Sequence, residues 1–487
     1  DGADDKIPFW KILSAALYTL GNENSEIRMK SARLLRTLEE RLGKNSKLQD
    51  LDISISDKTT AVYKLAQFDI SRRLAKQHAD MAFHVFSEFT RYFGGLVPDH
   101  QRNMVAAMLP WIQTIELQLL PSGGPTASSY MLMVNLFEIT ARSSSVLHNE
   151  IQALWQALAT GPYGGNVQVV LDFIIAICLD RREQNFVDYA KQIVVFLSTT
   201  AAGLKVVEFL LLQITPKSMI AEKRPPPPIP QDMTGLPYIA DLAQVLPIGN
   251  RQSGLSLGQL ALMLLVDLVV SPVQLPKNKI PLLLQVVVVQ WDHYTPLVQD
   301  QAREMLVHMI HEIVISKIGP AHTGPDKQSI EDLIESIRQH DPKVVWSYEE
   351  TDNTGPGSAS NGVPEPMIFV IEEVVRVLSF SYDDPSVGDD IRRDWARMSL
   401  VWATTCAVRH VACRSFQIFR CIIDSLDRQM MADMLARLTN TIADDENDCL
   451  TFSQEILITL RTIISALEPE DLIQYPQLFW TTSACLD

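Results

Sequence analysis

The chain has 487 residues, with 42 Lys plus Arg against 58 Asp plus Glu and a formal net charge of −16. Single hydrophobic cores stop growing near ~250–300 residues, so this length demands several domains or an array of units that each pack on their neighbours. Hydrophobic residues at 47% and charged residues at 21% exclude a largely disordered chain, and the acid excess argues against nucleic acid as a partner, because phosphate contacts need clustered Lys and Arg.

Nearly every periodic segment carries apolar residues at i, i+3, i+4 and i+7, the spacing of one helix face. Phe9, Leu13, Ala16, Leu17 and Leu20 share a face before Gly21. The next helix is predicted to start after Ser25 as N-cap, run through Ile27, Leu34, Leu35, Leu38 and Leu42, and stop at Gly43. Asp57 precedes a helix through Val62, Leu65, Ala66 and Ile70, and Pro98-Asp99 one through Val105, Met108, Ile112 and Ile115. Pro110 inside the latter is expected to kink it, since it lacks a backbone donor and clashes with the preceding turn. Further helices are predicted near 127–142, 147–160, 164–181, 184–198, 202–215, 256–270, 279–291, 295–317 and 327–339. The last set falls near 366–379, 388–405, 407–427, 429–441, 446–465 and 468–479. Short connections make consecutive helices antiparallel neighbours. Helix pairs recurring at about 40–47 residues match HEAT or armadillo repeats. Val286–Val289, the one strongly β-branched run, is short and lacks a partner strand, so it reads as buried helix or a helix end. The expected fold is an all-α solenoid of antiparallel helix pairs.

Two segments interrupt the pattern, giving repeats over 1–215, a Pro-rich loop over 216–254, repeats over 255–348, an insertion of linker composition over 349–366 and repeats over 367–487. The Pro-rich loop holds Arg224-x-x-Pro227-x-x-Pro230. A polyproline helix repeats every three residues, so Pro227 and Pro230 would fill successive aromatic grooves while Arg224 meets an acidic pocket, the pattern of an SH3 ligand. The alternative is a plain linker. Residues 331–390 hold 14 acidic and 3 basic side chains, whereas 391–430 hold Arg392, Arg393, Arg397, Arg409, Arg414, Arg420 and Arg428 against three Asp. Such a reversal either steers a charged partner or reflects complementary solvated faces of adjacent repeats.

No catalytic or metal motif stands up. His308-Met-Ile-His311-Glu312 has a His spacing of three with Glu after the second His, whereas a zincin needs a spacing of four with Glu beside the first. Cys406, His410 and Cys413 share a helical spacing, but three ligands along one straight helix diverge beyond the reach of one zinc ion, and core packing is the better account. Gly161-Pro-Tyr-Gly164-Gly165 follows no strand and precedes no Lys-Ser/Thr, so it is a turn rather than a phosphate cradle. With no nucleophile–base pair in sequence context, the expectation is a non-enzyme without cofactors. The chain starts at Asp1 and ends at Asp487 within helical sequence, as a piece of a longer protein does. No signal peptide opens it. Leu255–Val270, broken by Gln259 and Asp267, and Leu282–Val289, broken by Gln285, fall short of the ~18 apolar residues a membrane span requires. Six cysteines are too sparse for a disulfide framework, which points to a reducing, cytoplasmic setting.

Several blocks resemble a known family. Tyr63-Lys-Leu-Ala66, Leu109-Pro-Trp-Ile-Gln-Thr-Ile-Glu-Leu117, Leu154-Trp-Gln-Ala-Leu158, Trp402-Ala-Thr-Thr-Cys406 and the long run Arg409–Arg420 are similar, in order, to segments of the Furry family of cell-morphogenesis proteins, most of all its fungal members. The resemblance implies an N-terminal to central part of a large HEAT/armadillo-like protein without catalytic activity. It further implies a scaffold for an NDR-family (LATS-related) kinase and its Mob coactivator, recruited to sites of polarised growth or the cell cortex. An importin-type transport receptor and a phosphatase regulatory scaffold are the alternative readings. Candidate partner-binding residues, read from charge and motif, are Arg392, Arg393, Arg397, Arg409, Arg414, Arg224, Pro227 and Pro230.

Overall fold

The computed structural model describes residues 7–43, 51–222, 229–230, 232–246, 255–270, 275–293, 295–315, 327–339, 365–380, 385–423, 425–443 and 449–484. Described residues form helices and their connections, without a β-sheet. In chain order these are α1 (Phe9–Thr19), α2 (Ser25–Arg41), α3 (Asp52–Ser56), α4 (Thr60–Gln77), α5 (Ala82–Phe93), α6 (Pro98–Ile112), α7 (Ala127–Ser143), α8 (His148–Thr160), α9 (Asn166–Arg181), α10 (Gln184–Ser198), α11 (Gly203–Leu212) and α12 (Leu242–Val245). They continue as α13 (Leu257–Leu265), α14 (Ile280–Val289), α15 (Pro296–Ile313), α16 (Lys327–Arg338), α17 (Glu365–Phe380), α18 (Pro385–Thr405), α19 (Arg409–Ile422), α20 (Arg428–Ile442), α21 (Cys449–Ala466), α22 (Pro469–Leu472) and α23 (Pro476–Ala484). The fold is that of an all-α helical repeat solenoid. It divides into two compact units, one of residues 1–206 with 223–251, the other of 207–222 with 252–487.

In the first unit, helix ends follow local chemistry. The Asn24 side chain, not Ser25, caps α2 by accepting from the Glu26 N–H at 2.9 Å, and Gly43 beyond its end adopts φ +67°, a conformation that costs glycine little. Arg28 is almost fully buried, yet each donating nitrogen is used: Nε to Ile55 O, Nη1 to Asn22 O and Glu23 O, and Nη2 to Asp57 O. Its guanidinium lies 3.9 Å from the Tyr63 ring centroid, so one cation ties α2 to the turn between α3 and α4. Pro110 does not end α6, which continues to Ile112. Buried tryptophans bridge helix pairs: Trp111 Nε1 donates to Ser71 Oγ at 2.9 Å across α6 and α4, and Trp155 Nε1 to Thr140 Oγ1 at 2.9 Å across α8 and α7. Gly161 follows α8 because a Cβ there would lie 2.9 Å from the Gln113 carbonyl oxygen.

In the second unit α14 is buried along its whole length, Val286–Val289 included, which fits the reading of that run as buried helix. Its one polar side chain, Gln285, is the hub of α14, α18 and α19. Gln285 Nε2 donates to Ser415 Oγ at 3.0 Å, while Gln285 Oε1 accepts from Trp395 Nε1 at 3.1 Å and Ser399 Oγ at 2.6 Å. All four side chains are fully enclosed, so each donor has the partner that burial demands. Ser256 and Gln259 form a reciprocal capping box at the start of α13. A second buried pairing holds α19 to α21: Arg420 Nη1 lies 2.8 Å from both Glu455 Oε2 and Thr459 Oγ1.

Candidate partner-binding surfaces

The arginine-rich stretch splits once folded. One face of α18 is buried: Trp395, Ser399 and Trp402 are enclosed, the first two bonded to Gln285 of α14. The opposite face, one helical spacing away, exposes Arg393, Arg397 and Val401. Arg393 Nη1 reaches Asp390 at 2.9 Å and Arg397 Nη2 lies 3.8 Å from Asp427, with all four side chains well exposed. Exposed pairs of this kind are worth under about 1 kcal/mol each, so a partner's carboxylates compete readily for both guanidinium groups.

The other arginines are placed differently. Arg392 is half-buried and donates from Nε to the Ile422 carbonyl at 3.1 Å, satisfying the C-terminal end of α19. Arg414 pairs with buried Asp292 at 2.6 Å, and Arg409 is half-buried at the first residue of α19. Burial is the main force lowering the Arg414 pKa, and Asp292 opposes it. Of the Pro-rich motif, Arg224 and Pro227 lie outside the described residues, and Pro230 is buried.

Downstream of Pro230 the chain is tied to the first unit. The side chain of fully buried Asn135 on α7 donates to Tyr238 O at 3.0 Å and accepts from the Ala240 N–H at 2.8 Å. Ser87 Oγ on α5 donates to the same carbonyl at 2.5 Å, and the Tyr238 hydroxyl donates to Glu138 Oε2 at 2.7 Å. A two-donor, one-acceptor amide of this type reads backbone as a β-strand neighbour would. The Pro-rich loop is thus shared: its residues 216–222 belong to the second unit and 232–246 to the first.

Among the described residues no group of three or more His, Cys, Asp or Glu is placed to hold a metal ion. Cys406 and Cys413, which share a helical spacing in the sequence, are separated by the break between α18 and α19; both are buried, as core packing requires. His308 Nδ1 lies 2.7 Å from Val266 O and Nε2 2.9 Å from Glu304, so this ring ties α15 to the residues after α13. The Cys178 thiol is pushed up to about 12 by burial, and burial does the same to Cys421; neither is a nucleophile at neutral pH.

His293 has the most displaced imidazole. Burial first, then the charges of His410 and Arg414, push it down to about 4. Its native state resists the proton that the unfolded chain accepts near pH 6.5, so its contribution is complete above that pH and lost as pH falls toward 4. We expect stability to drop by up to about 3 kcal/mol over that window. In His293→Gln the fall measured by urea melts at pH 7 and pH 5 should be smaller; an identical fall would place the sensitivity elsewhere.

These features define an all-α helical-repeat protein. No described helix is long and apolar enough to cross a membrane. The family model described as "Cell morphogenesis central region" matches residues 5–223 and 239–449, and the chain belongs to that family. It is 30% identical over 477 residues to cell morphogenesis protein PAG1 of Saccharomyces cerevisiae, covering 98% of this chain and 19% of that protein. It is 27% identical over 481 residues to cell polarity protein mor2 of Schizosaccharomyces pombe, covering 98% of this chain and 21% of that protein. The chain therefore spans about a fifth of the length of these relatives. Both are named for morphogenesis or polarity rather than for a reaction, and the resemblance to the fungal Furry proteins holds.

Proposed function

We propose that this chain is a non-catalytic part of a cell-polarity scaffold, which holds an NDR/LATS-family kinase together with its Mob coactivator at the cell cortex. The observation that carries the reading is membership of the morphogenesis family, in a fold that offers long, stacked helical surfaces and whose relatives are named for polarity. Holding kinase and coactivator side by side raises their mutual effective concentration, to the mM range for short flexible links, without any chemistry by the scaffold. The relatives' names favour this over a transport receptor or a phosphatase scaffold.

Within this reading the exposed Arg393–Arg397 stripe docks an acidic face of the kinase–Mob complex. The test is size-exclusion co-elution with a purified NDR-family kinase–Mob complex at two salt concentrations. A shared peak is expected at low salt, weakened at high salt, because exposed charges are screened. Arg393→Glu with Arg397→Glu should weaken it about tenfold or more at low salt, since reversal turns attraction into repulsion. An unaltered peak for that variant would move the dock off α18, and separate peaks at both salts would overturn kinase binding by this chain.

A further inference from the structure

Positions 169, 172, 173, 176, 177 and 180 recur at helical spacing, so they form one face of α9. That face lines a cavity of about 470 Å³ in the first unit, walled on the other side by Ala240, Asp241, Leu242 and Ala243. Its floor is apolar: Val169, Phe173 and Ile177, with the Tyr130 ring edge-on to Phe173 at 6.0 Å. Its rim carries Asp172, Asp180 and Asp241 against one cation, Arg181. Asp172 receives a hydrogen bond from Gln168 Nε2 at 3.2 Å, and Asp241 uses one oxygen to cap α12 through the Ala243 N–H. Arg181 also reaches Glu183 and the Phe186 ring, 3.9 Å and 4.9 Å away, so this one cation is shared and leaves the three-carboxylate rim with a net negative charge. At the Tyr130 hydroxyl burial chiefly raises the pKa; Arg181 is the strongest charge acting on it and lowers it, while Asp180 and Asp241 raise it.

We propose that this groove docks a short cationic, amphipathic peptide segment of a protein partner, with large apolar side chains on the Phe173 floor and Lys or Arg against Asp172 and Asp180. The charge pattern selects the class. An acidic segment or a phosphate backbone would meet three carboxylates, and a purely polar cation would leave the floor wet. The wall is fixed before any partner arrives, because Asn135, Ser87 and Glu138 hold Tyr238 and the Ala240 amide, and such a groove requires little ordering on binding. The inference does not rest on the kinase reading, since any protein with such a segment qualifies.

The test is fluorescence anisotropy with the whole chain and a labelled 12-residue Leu/Lys amphipathic peptide, alongside a Ser/Lys and a Leu/Glu counterpart. The Leu/Lys peptide should bind and both counterparts should bind at least about tenfold more weakly. Asp172→Lys with Asp180→Lys, both at exposed positions, should weaken the Leu/Lys peptide about tenfold. Ala176→Trp should fill the floor and abolish binding without any change in charge. Because the chain carries a net charge of −16, Glu470→Lys with Asp471→Lys, exposed in the second unit, is the control and should alter affinity less than about twofold. Equal losses in both reversals, equal binding of the Ser/Lys peptide, or full binding by a folded Ala176→Trp protein would each overturn the groove.

Discussion

Arg420→Met is expected to destabilise the second unit by about 3–5 kcal/mol, the usual cost of removing one partner from a buried ion pair. Arg420 is 4% exposed and Glu455 7%. The guanidinium supplies Glu455 Oε2 at 2.8 Å, Thr459 Oγ1 at 2.8 Å and the Glu455 carbonyl at 3.3 Å. Without it, the carboxylate keeps only the long donor Gln417 Nε2, at 3.4 Å, so most of the loss is the desolvation of an unpaired anion rather than the lost attraction. It follows that Arg420→Met with Glu455→Leu should recover much of what the single change loses, since a buried pair replaced whole by apolar groups is often near neutral. Urea midpoints of the two variants decide it. A double variant at least as unstable as the single one would mean that the pair itself, and not burial of an orphan charge, dominates.

Asn135→Leu is expected to cost about 2–4 kcal/mol and to free the residues around Tyr238 from the first unit. The substitution keeps the volume but strands the Ala240 N–H and leaves the Tyr238 carbonyl to Ser87 alone, and a stranded buried donor bears its full desolvation cost. Ser87→Ala removes one donor from a carbonyl that keeps another, so about 1 kcal/mol is expected there. Amide hydrogen exchange at Ala240 is the direct readout: it should accelerate strongly in Asn135→Leu and little in Ser87→Ala. Peptide affinity for the groove should fall in the first variant, because Ala240–Ala243 form its wall. Retained protection at Ala240 would show that the segment is held by its apolar contacts instead.

Most helices could be read from apolar spacing, because each must bury a stripe against neighbours close in sequence; α3, α5 and α12 fall outside the predicted set. The run Ile280–Val289 shows the limit of that reading. Its apolar character announced burial, and Gln285 broke a hydrophobic stretch without saying why; its partners, Trp395, Ser399 and Ser415, lie more than a hundred residues away. Asn135 is similar: a polar residue in an apolar helix, matched to backbone about a hundred residues later. A lone amide inside such a run marks a buried polar hub whose partners lie elsewhere in the chain.

The arginines teach the same lesson about sites. Sequence placed Arg392, Arg393 and Arg397 in one cluster, and net charge treated Arg414 and Arg420 as equivalent to them. The fold leaves Arg393 and Arg397 facing solvent, gives Arg392 a carbonyl, and gives Arg414 and Arg420 buried carboxylates. The α9 face was present as spacing from Val169 to Asp180, but only the return of Ala240–Ala243 makes it a groove.

By itself the sequence determined the all-α class, the helix-pair repeat and the morphogenesis family, since these rest on local periodicity and on residues that stay in order along the chain. Tertiary structure alone decided which polar groups are structural and which face solvent, and how the Pro-rich loop is divided between the two units. The physical reason is that a buried amide or guanidinium must find a specific partner, and the partners here were supplied by helices and loops remote in sequence.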